Sequence, residues 1–168
     1  MCMDADLQHE PEAVPVVAKP VLEGRAEFSV GSRNTEGGGV AGWSMHRKAI
    51  SAGATLLALP LTRCKDPMSG FFATTQEVLA RGEGKCNAMG FKIGLELMVK
   101  CGATASVTDV PITFRDRVAG ESKLSMKQNV LYVRQLLGLY FFKFPVASVA
   151  VPALLVALAA QILIVLTR

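Results

Sequence analysis

The pattern of apolar and polar positions along the chain predicts a mixture of strands and helices. Residues 26–30 form a short strand that Gly31 closes, and residues 107–114 alternate well enough to form another strand. Pro111 lies inside this second segment, so we expect an edge or irregular position there. Helical periodicity occurs in three segments, at residues 44–59, 89–101 and 124–142.

Glycine, proline and threonine mark the connections between these elements. Gly37, Gly38 and Gly39 predict a mobile loop after the first strand. Asp66 begins a turn that Gly70 completes. Residues 74–77 (TTQE) have the pattern of a capping box, so we expect a short helix to begin there.

The end of the chain carries its longest apolar stretch. No charged residue occurs from Phe144 to Thr167, and this run exceeds the roughly 20 residues that a bilayer span requires. We therefore predict one transmembrane helix over residues 144–167, with a buried helix of a large protein as the alternative. Residues 124–143 combine broad apolar sectors with basic residues, which predicts an amphipathic helix at the membrane interface.

Composition and charge are consistent with a membrane-associated protein. Hydrophobic residues make up 51% of the 168 positions, and the net charge is +4. The N-terminus has no signal-peptide pattern, and more basic residues precede the apolar run than follow it, so we expect the globular part to face the cytoplasm. The basic residues are dispersed and lack an aromatic platform, which argues against nucleic-acid binding. The four cysteines have no metal-type spacing, so we expect reduced thiols.

Two aspartates near the N-terminus are candidate metal ligands. Asp4 and Asp6 stand one residue apart. Mg²⁺ and Mn²⁺ favour such oxygen ligands and bridge naturally to substrate phosphates. An isolated Asp-x-Asp pattern more often marks a solvated turn or a helix cap, so the argument for a metal site depends on the motifs that follow.

A series of short motifs follows along the chain: 3–9 (MDADLQH), 30–33 (VGSR), 37–40 (GGGV) with Trp43, 47–51 (RKAIS), 66–72 (DPMSGFF), 90–96 (GFKIGLE), 110–112 (VPI) and 117–124 (RVAGESKL). In their order and spacing these motifs resemble the dolichol-phosphate mannosyltransferase family, over residues 3 to about 140. The resemblance implies an α/β fold in which residues 1–123 form the C-terminal portion of a GT-A (Rossmann-like) glycosyltransferase domain. It also implies transfer of mannose from GDP-mannose to dolichyl phosphate at the cytoplasmic face of the endoplasmic reticulum, for protein glycosylation and GPI-anchor synthesis.

The resemblance assigns the first group of site residues to the donor. Asp4, Asp6 and Gln8 would hold a divalent cation, Mg²⁺ or Mn²⁺, which offsets charge on the departing nucleoside diphosphate. Asp4, Ala5, Asp6, Gln8 and Arg33 would contact the donor, and Asp6 would take part in catalysis. Without the resemblance, a surface ion pair would be the better interpretation of Arg33.

The second group is assigned to the phosphates. Arg47 and Ser51 lie four residues apart on one helix face and would face the lipid phosphate. Arg117 and Lys123 lie on a loop that would close over both phosphates, with Arg117 catalytic, although a solvated basic loop is the alternative. Asp66 matches a turn near which related transferases carry a general base. Because a phosphate acceptor is already ionised, we expect Asp66 to be structural or to position the acceptor.

The chain also departs from the family pattern. About half of a GT-A domain would precede Asp4 in the family, so we expect a fragment whose metal motif lacks a scaffold and which has little transferase activity alone. The predicted C-terminal span resembles the self-anchoring versions, whereas others rely on small membrane subunits. Two alternatives remain open: another polyprenyl-phosphate glycosyltransferase, and a non-catalytic, membrane-anchored remnant that binds lipid phosphate or a synthase partner.

Overall fold

The computed structural model describes residues 1–6, 8–87, 92–102, 106–115, 126–152 and 159. Its central feature is a three-stranded mixed sheet. Strand β1 (Phe28–Ser32) lies between β3 (Phe72–Thr74), which is antiparallel to it, and β4 (Val107–Pro111), which is parallel to it. A second, parallel pair joins β2 (Gly39–Val40) to β5 (Thr113–Phe114). The predicted α/β fold is confirmed at this level.

Both faces of β1 are covered, and all five of its residues are buried. On one face, Phe28 stacks on Phe72 with ring centroids 5.0 Å apart, and Met98 of helix α4 (Ile93–Lys100) packs beside them. On the other side of the sheet, Val17 of helix α1 (Val14–Leu22) packs with Phe71. Along the strand Phe28 and Val30 alternate with the small residues Ser29 and Gly31, and such alternation is a strand pattern that the sequence shows.

Helices α2 (Met45–Ala58), α4 and α5 (Met126–Lys143) share a second apolar cluster beside the sheet. The hydroxyl of Ser44 accepts the backbone N–H of Arg47 at 3.3 Å and so caps the start of α2. On α5, the hydroxyls of Tyr132 and Tyr140 donate to carbonyl oxygens of α2 at 2.7 and 2.8 Å. These bonds, together with the apolar contacts, hold α5 alongside α2.

The remaining short elements show where the sequence pattern was incomplete. Helix α1 follows a 3₁₀ turn (Pro11–Ala13) and was not predicted, because it contains Pro15 and Pro20. Helix α3 (Gln76–Arg81) begins one residue later than expected, since Thr75, and not Thr74, accepts the N–H of Val78 at 3.2 Å. The strand predicted at 107–114 is divided at Ile112 into β4 and β5. Pro111 ends β4, so the expected irregularity is present.

Among the described residues, no single helix is both long and apolar enough to cross a membrane. Lys127–Lys143 and Pro145–Pro152 satisfy the length and hydropathy criteria together, but they meet at a bend of 110°. Most of the span predicted at 144–167 lies outside the described residues. That span, and the interfacial role of residues 124–143, therefore stay predictions.

Candidate functional site at the Asp4 loop and the Arg33 cleft

The N-terminal loop that carries the aspartates is attached to the sheet at both ends. The N–H of Cys2 donates to the carbonyl oxygen of Phe72 at 2.8 Å, and the N–H of Phe72 donates back at 3.0 Å. Further along, the Gln8 side-chain amide donates to the Arg115 carbonyl oxygen at 3.1 Å, and the Arg115 N–H donates to the Gln8 carbonyl oxygen at 3.0 Å. The expectation that this motif would lack a scaffold was wrong, because β3 and the residue after β5 hold it in place.

The Asp4 carboxylate packs directly over the turn that follows Asp66. A Cβ atom added at Gly70 would lie 2.5 Å from Oδ2 of Asp4, so only glycine leaves room for the carboxylate there. Ala5 is exposed, and the half-buried Asp6 accepts the backbone N–H of Gln8 on Oδ1 at 3.3 Å. The loop thus presents Asp4 and Asp6 near the surface.

Two carboxylates of this kind fit part of a magnesium or manganese site. Within the described ranges, no group of three or more His, Cys, Asp or Glu side chains is arranged to hold a metal ion. Mg²⁺, however, is commonly held by one or two carboxylates, with waters and substrate phosphates completing its octahedron. Asp4 and Asp6 fit that mode. Gln8 is only 2% exposed, and its amide nitrogen is bonded to Arg115, so its assignment as a third ligand stays a prediction.

Arg33 forms a buried, two-pronged ion pair with Asp66. Nε and Nη2 of Arg33 donate to Oδ2 and Oδ1 of Asp66, both at 2.7 Å, and the Arg33 backbone N–H donates to Oδ2 at 2.9 Å. The side chains are 9% and 0% exposed. The surface ion pair considered as an alternative is therefore a buried one, and Arg33 is fixed in orientation.

Aromatic rings complete the surroundings of Arg33. Its guanidinium carbon lies 5.4 Å from the ring centroid of Trp43 and 5.3 Å from that of Phe114. The guanidinium carbon of Arg47 lies 4.1 Å from the Trp43 centroid. Both arginines are within cation–π distance of the same indole. Trp43 is thus a common neighbour of Arg33 and Arg47, which are 14 positions apart in sequence.

A cleft of about 360 Å³ opens beside Arg33 and runs along α2. Its polar wall contains Arg33, Lys48, Ser51 and Lys65. Its other lining side chains include the apolar residues Val40, Trp43, Ala52, Leu56 and Leu59. The structure thus brings together in one cleft Arg33, which was predicted to contact the donor, and Ser51, which was predicted to face the lipid phosphate. Arg47 contacts the cleft wall through Trp43 and does not itself line the cleft.

Two further ionisable side chains near the site were not singled out by the sequence. Burial, and to a smaller extent the nearby Arg33, lower the pKa of Lys92 to about 8, against the opposing effects of Asp4 and Asp66. Its Nζ donates to the Met68 carbonyl oxygen at 2.6 Å, inside the turn between Asp66 and Gly70. Lys92 falls in the 90–96 motif, so its place in that motif was the available clue.

His9 is the second such residue. It is 4% exposed and lies between the rings of Phe71 and Phe114, with centroids 5.0 and 4.9 Å away. In the described part of the chain, neither ring nitrogen has a hydrogen-bond partner. Burial lowers the pKa of His9, and Asp4 and Asp6 partly offset that effect. A neutral histidine is therefore part of the packing behind the aspartate loop.

The two loop cations predicted to close over the phosphates, Arg117 and Lys123, lie outside the described residues. The nearest described residue is Arg115, whose backbone is bonded to Gln8 and whose guanidinium pairs with Glu10 at 2.5 Å. The segment that leads to Arg117 therefore starts beside the aspartate loop. The roles of Arg117 and Lys123 stay predictions.

Comparisons with known proteins support the resemblance. No protein-family profile matches the chain. Three curated proteins named dolichol-phosphate mannosyltransferase are similar to it: one from Mycosarcoma maydis, 45% identical over 94% of this chain, one from Saccharomyces cerevisiae, 43% over 86%, and one from Pyrococcus furiosus, 44% over 80%. The chain covers 55%, 55% and 38% of these proteins, so it spans about half their length or less. The predicted resemblance to dolichol-phosphate mannosyltransferases is confirmed.

Proposed function

We propose that this chain is the acceptor-side part of a GT-A glycosyltransferase that transfers mannose from GDP-mannose to dolichyl phosphate. The product, dolichyl phosphate mannose, would serve protein glycosylation and GPI-anchor synthesis. The observation that carries the proposal is the cleft in which Arg33 and Ser51 meet beside an apolar wall. Identities of 43–45% to three dolichol-phosphate mannosyltransferases support it.

The cleft suits an amphiphilic phosphate. Arg33, Lys48 and Lys65 supply positive charge at one wall, and Ser51 adds a hydroxyl group. About 360 Å³ is near the lower end of the roughly 300–1,000 Å³ typical of ligand pockets, so the cleft suits a head group and the first part of a lipid chain. The exposed apolar side chains of α2, such as Leu56, continue from the cleft toward the surface, where the rest of the lipid would leave.

The chemistry requires little more of the chain than positioning and charge. A lipid phosphate is already an anionic nucleophile, so it attacks the anomeric carbon of the sugar as the bond to the nucleoside diphosphate breaks. Asp4 and Asp6 would hold a divalent cation, which offsets the charge that develops on the departing diphosphate. The resemblance implies a donor contact for Arg33, but because Arg33 shares the cleft with Ser51 we assign it to the acceptor phosphate instead. Arg117 and Lys123 would contact the phosphates, as the resemblance implies.

We place this reaction at the endoplasmic reticulum membrane, with the globular part in the cytoplasm and residues 144–167 as a single-pass anchor. Small membrane subunits of a synthase complex would be its partners. Support comes from apolar side chains that helix α5 and the residues after it leave exposed: Val130, Val133, Leu137, Phe141, Phe142, Val146, Val149 and Val151. Such a surface is unusual for a soluble monomer and suits a lipid interface.

The acceptor part of the proposal is tested by binding to the 168-residue chain in detergent. Trp43 is the only tryptophan in the sequence and lies in the cleft wall, so its fluorescence reports occupancy. Farnesyl phosphate should change this fluorescence saturably and at lower concentration than farnesol. Equal affinity for both compounds would contradict a phosphate site.

The transferase part is tested by organic-phase incorporation of labelled mannose from GDP-mannose into dolichyl phosphate, in membranes of cells that express the protein. We expect little transfer by the 168-residue chain alone, and Mn²⁺-dependent transfer that Asp6→Asn abolishes in a longer protein that contains these residues and a complete GT-A domain. Incorporation from UDP-glucose but not GDP-mannose would favour another polyprenyl-phosphate glycosyltransferase. Binding of farnesyl phosphate without transfer from either donor would favour the non-catalytic remnant. A cleft that binds lipid phosphate suits that alternative too.

A further inference from the structure

In the part of the chain that the structure describes, the hydrogen bonds to the Asp66 carboxylate all come from Arg33. Both carboxylate oxygens accept N–H groups of the guanidinium at 2.7 Å, Oδ2 also accepts the Arg33 backbone N–H at 2.9 Å, and the side chain has no exposed surface. A general base must come within about 2.6–3.2 Å of the proton that it removes. Asp66 is not among the residues that line the cleft, whereas Arg33 is, and both Asp66 carboxylate oxygens are taken by Arg33.

We propose that Asp66 is a positioning residue, which orients the Arg33 guanidinium so that Arg33 grips the acceptor phosphate. This inference rests on the proposed function. It assigns Asp66 no contact with substrate and no proton transfer.

The geometry of the guanidinium explains how the orientation is transmitted. The group is planar and carries five N–H donors in a rigid fork. Asp66 takes the edge formed by Nε and Nη2, so the opposite edge points away from Asp66. The rings of Trp43 and Phe114, both within 5.4 Å, limit rotation out of this plane. Arg33 also lines the cleft, so the orientation of its free edge bears directly on the ligand.

The turn after Asp66 extends this arrangement toward the aspartate loop. The backbone carbonyl of Asp66 accepts the N–H of Ser69 at 3.1 Å, and Lys92 donates to the Met68 carbonyl oxygen at 2.6 Å. Asp4 packs over Gly70 at the end of the same turn. One rigid turn therefore connects the cleft with the candidate metal residues, and Asp66 is its buried end.

The test compares Asp66→Asn with a matched change elsewhere, Glu96→Gln. Glu96 is also a buried, ion-paired carboxylate that accepts three hydrogen bonds, from the Asn87 backbone, Lys100 and Gln135 at 2.7, 2.7 and 2.9 Å. It does not line the cleft beside Arg33. Both variants replace an anion by an amide, so both are expected to lower the melting temperature.

Of these two variants, only Asp66→Asn should lower the affinity for farnesyl phosphate. The expected loss is roughly tenfold to a hundredfold, which is the range for a lost hydrogen bond to a charged group. Farnesol affinity should stay within twofold, because the apolar wall is intact. Arg33→Lys should show the same loss, and the double variant Asp66→Asn, Arg33→Lys should lose little more, since the two residues act as a unit. Unchanged farnesyl phosphate affinity in Asp66→Asn, or an equal loss in Glu96→Gln, would overturn the proposal.

A measurement on the parent chain keeps the proposal falsifiable if Asp66→Asn does not fold. The Nε–H of Arg33, buried against Asp66, should give a slowly exchanging side-chain NMR signal. Rapid exchange of every arginine Nε–H would overturn the pairing itself. If the parent shows the slow signal but does not bind farnesyl phosphate, the pairing of Arg33 with Asp66 is supported but the proposed function is wrong. The proposed role of the pair in acceptor binding is then wrong as well.

Discussion

Gly70→Ala tests whether the Asp4 carboxylate has the position that a metal site needs. The new Cβ would lie 2.5 Å from Oδ2 of Asp4, 3.0 Å from Cγ and 3.2 Å from Oδ1. To reach ordinary contact at 3.4 Å, Oδ2 must retreat by about 0.9 Å, whereas metal–ligand distances tolerate about 0.2 Å. The carboxylate would therefore leave its present position.

The substitution separates metal binding from stability. The displaced atoms are the end of an exposed side chain, which can move at small cost, and alanine restricts the unfolded chain, which stabilises by about 0.4–1 kcal/mol at a compatible site. We expect a melting temperature at or slightly above that of the parent. Mn²⁺ affinity should fall by roughly tenfold to a hundredfold, about 1.4–2.8 kcal/mol, or by more. This is the range for a metal ligand that loses its supporting partner.

The assay is Mn²⁺ titration followed by electron paramagnetic resonance, with and without inorganic pyrophosphate, alongside thermal unfolding. Gly39→Ala is the control, because a Cβ there meets nothing within 4 Å. If Gly70→Ala binds Mn²⁺ within twofold of the parent, either Asp4 is not a ligand or it does not pack over Gly70. In both cases the reasoning would be refuted.

Three other predictions follow from particular contacts. The pKa of Lys92 is about 8 in the folded chain, against 10.5 for an unperturbed lysine. Between these two pH values the folded state binds fewer protons than the unfolded state, so the free energy of unfolding of the parent, relative to that of Lys92→Met, should rise from pH 7.5 to 10. Urea unfolding measures this difference, and a difference that does not change with pH would contradict the shift. Gly82→Ala places a Cβ against the buried sulfur of Cys101 and should cost about 1–3 kcal/mol, whereas Gly53→Ala in α2, with open space around it, should gain about 0.5–1 kcal/mol. Removing residues 144–168 should make the protein extractable from membranes by carbonate, and unchanged resistance would exclude the tail as the anchor.

Local pattern was sufficient for the elements whose signals lie within a few residues. The alternation of Phe28 and Val30 with small residues in β1, and the periodicity of α2 after Ser44, both led to the observed elements within two residues. Local pattern was insufficient where two local signals conflicted. Helix α1 contains Pro15 and Pro20, which oppose a helix, yet the packing of Val17 against the sheet stabilises it.

The candidate site, too, could be predicted only in part from the sequence. Ordered motifs were enough to identify Asp4, Asp6, Arg33 and Ser51 as residues of interest, and to predict the family resemblance. They carried no information about which partner each side chain would take. An ion pair between Arg33 and Asp66 joins residues 33 positions apart, and sequence spacing does not determine contacts over that distance.

The sequence by itself determined which residue types are present, the strand and helix periods, and the long apolar run at the end. Only the tertiary structure decided that Arg33 is buried against Asp66, that Lys92 is near Asp4, and that Asp4 packs over Gly70. The physical reason is that these contacts depend on the order of strands in the sheet and on the turn after Asp66. Such an arrangement is set by the sum of many long-range packing energies, whereas periodicity and capping act within one or two turns of the backbone.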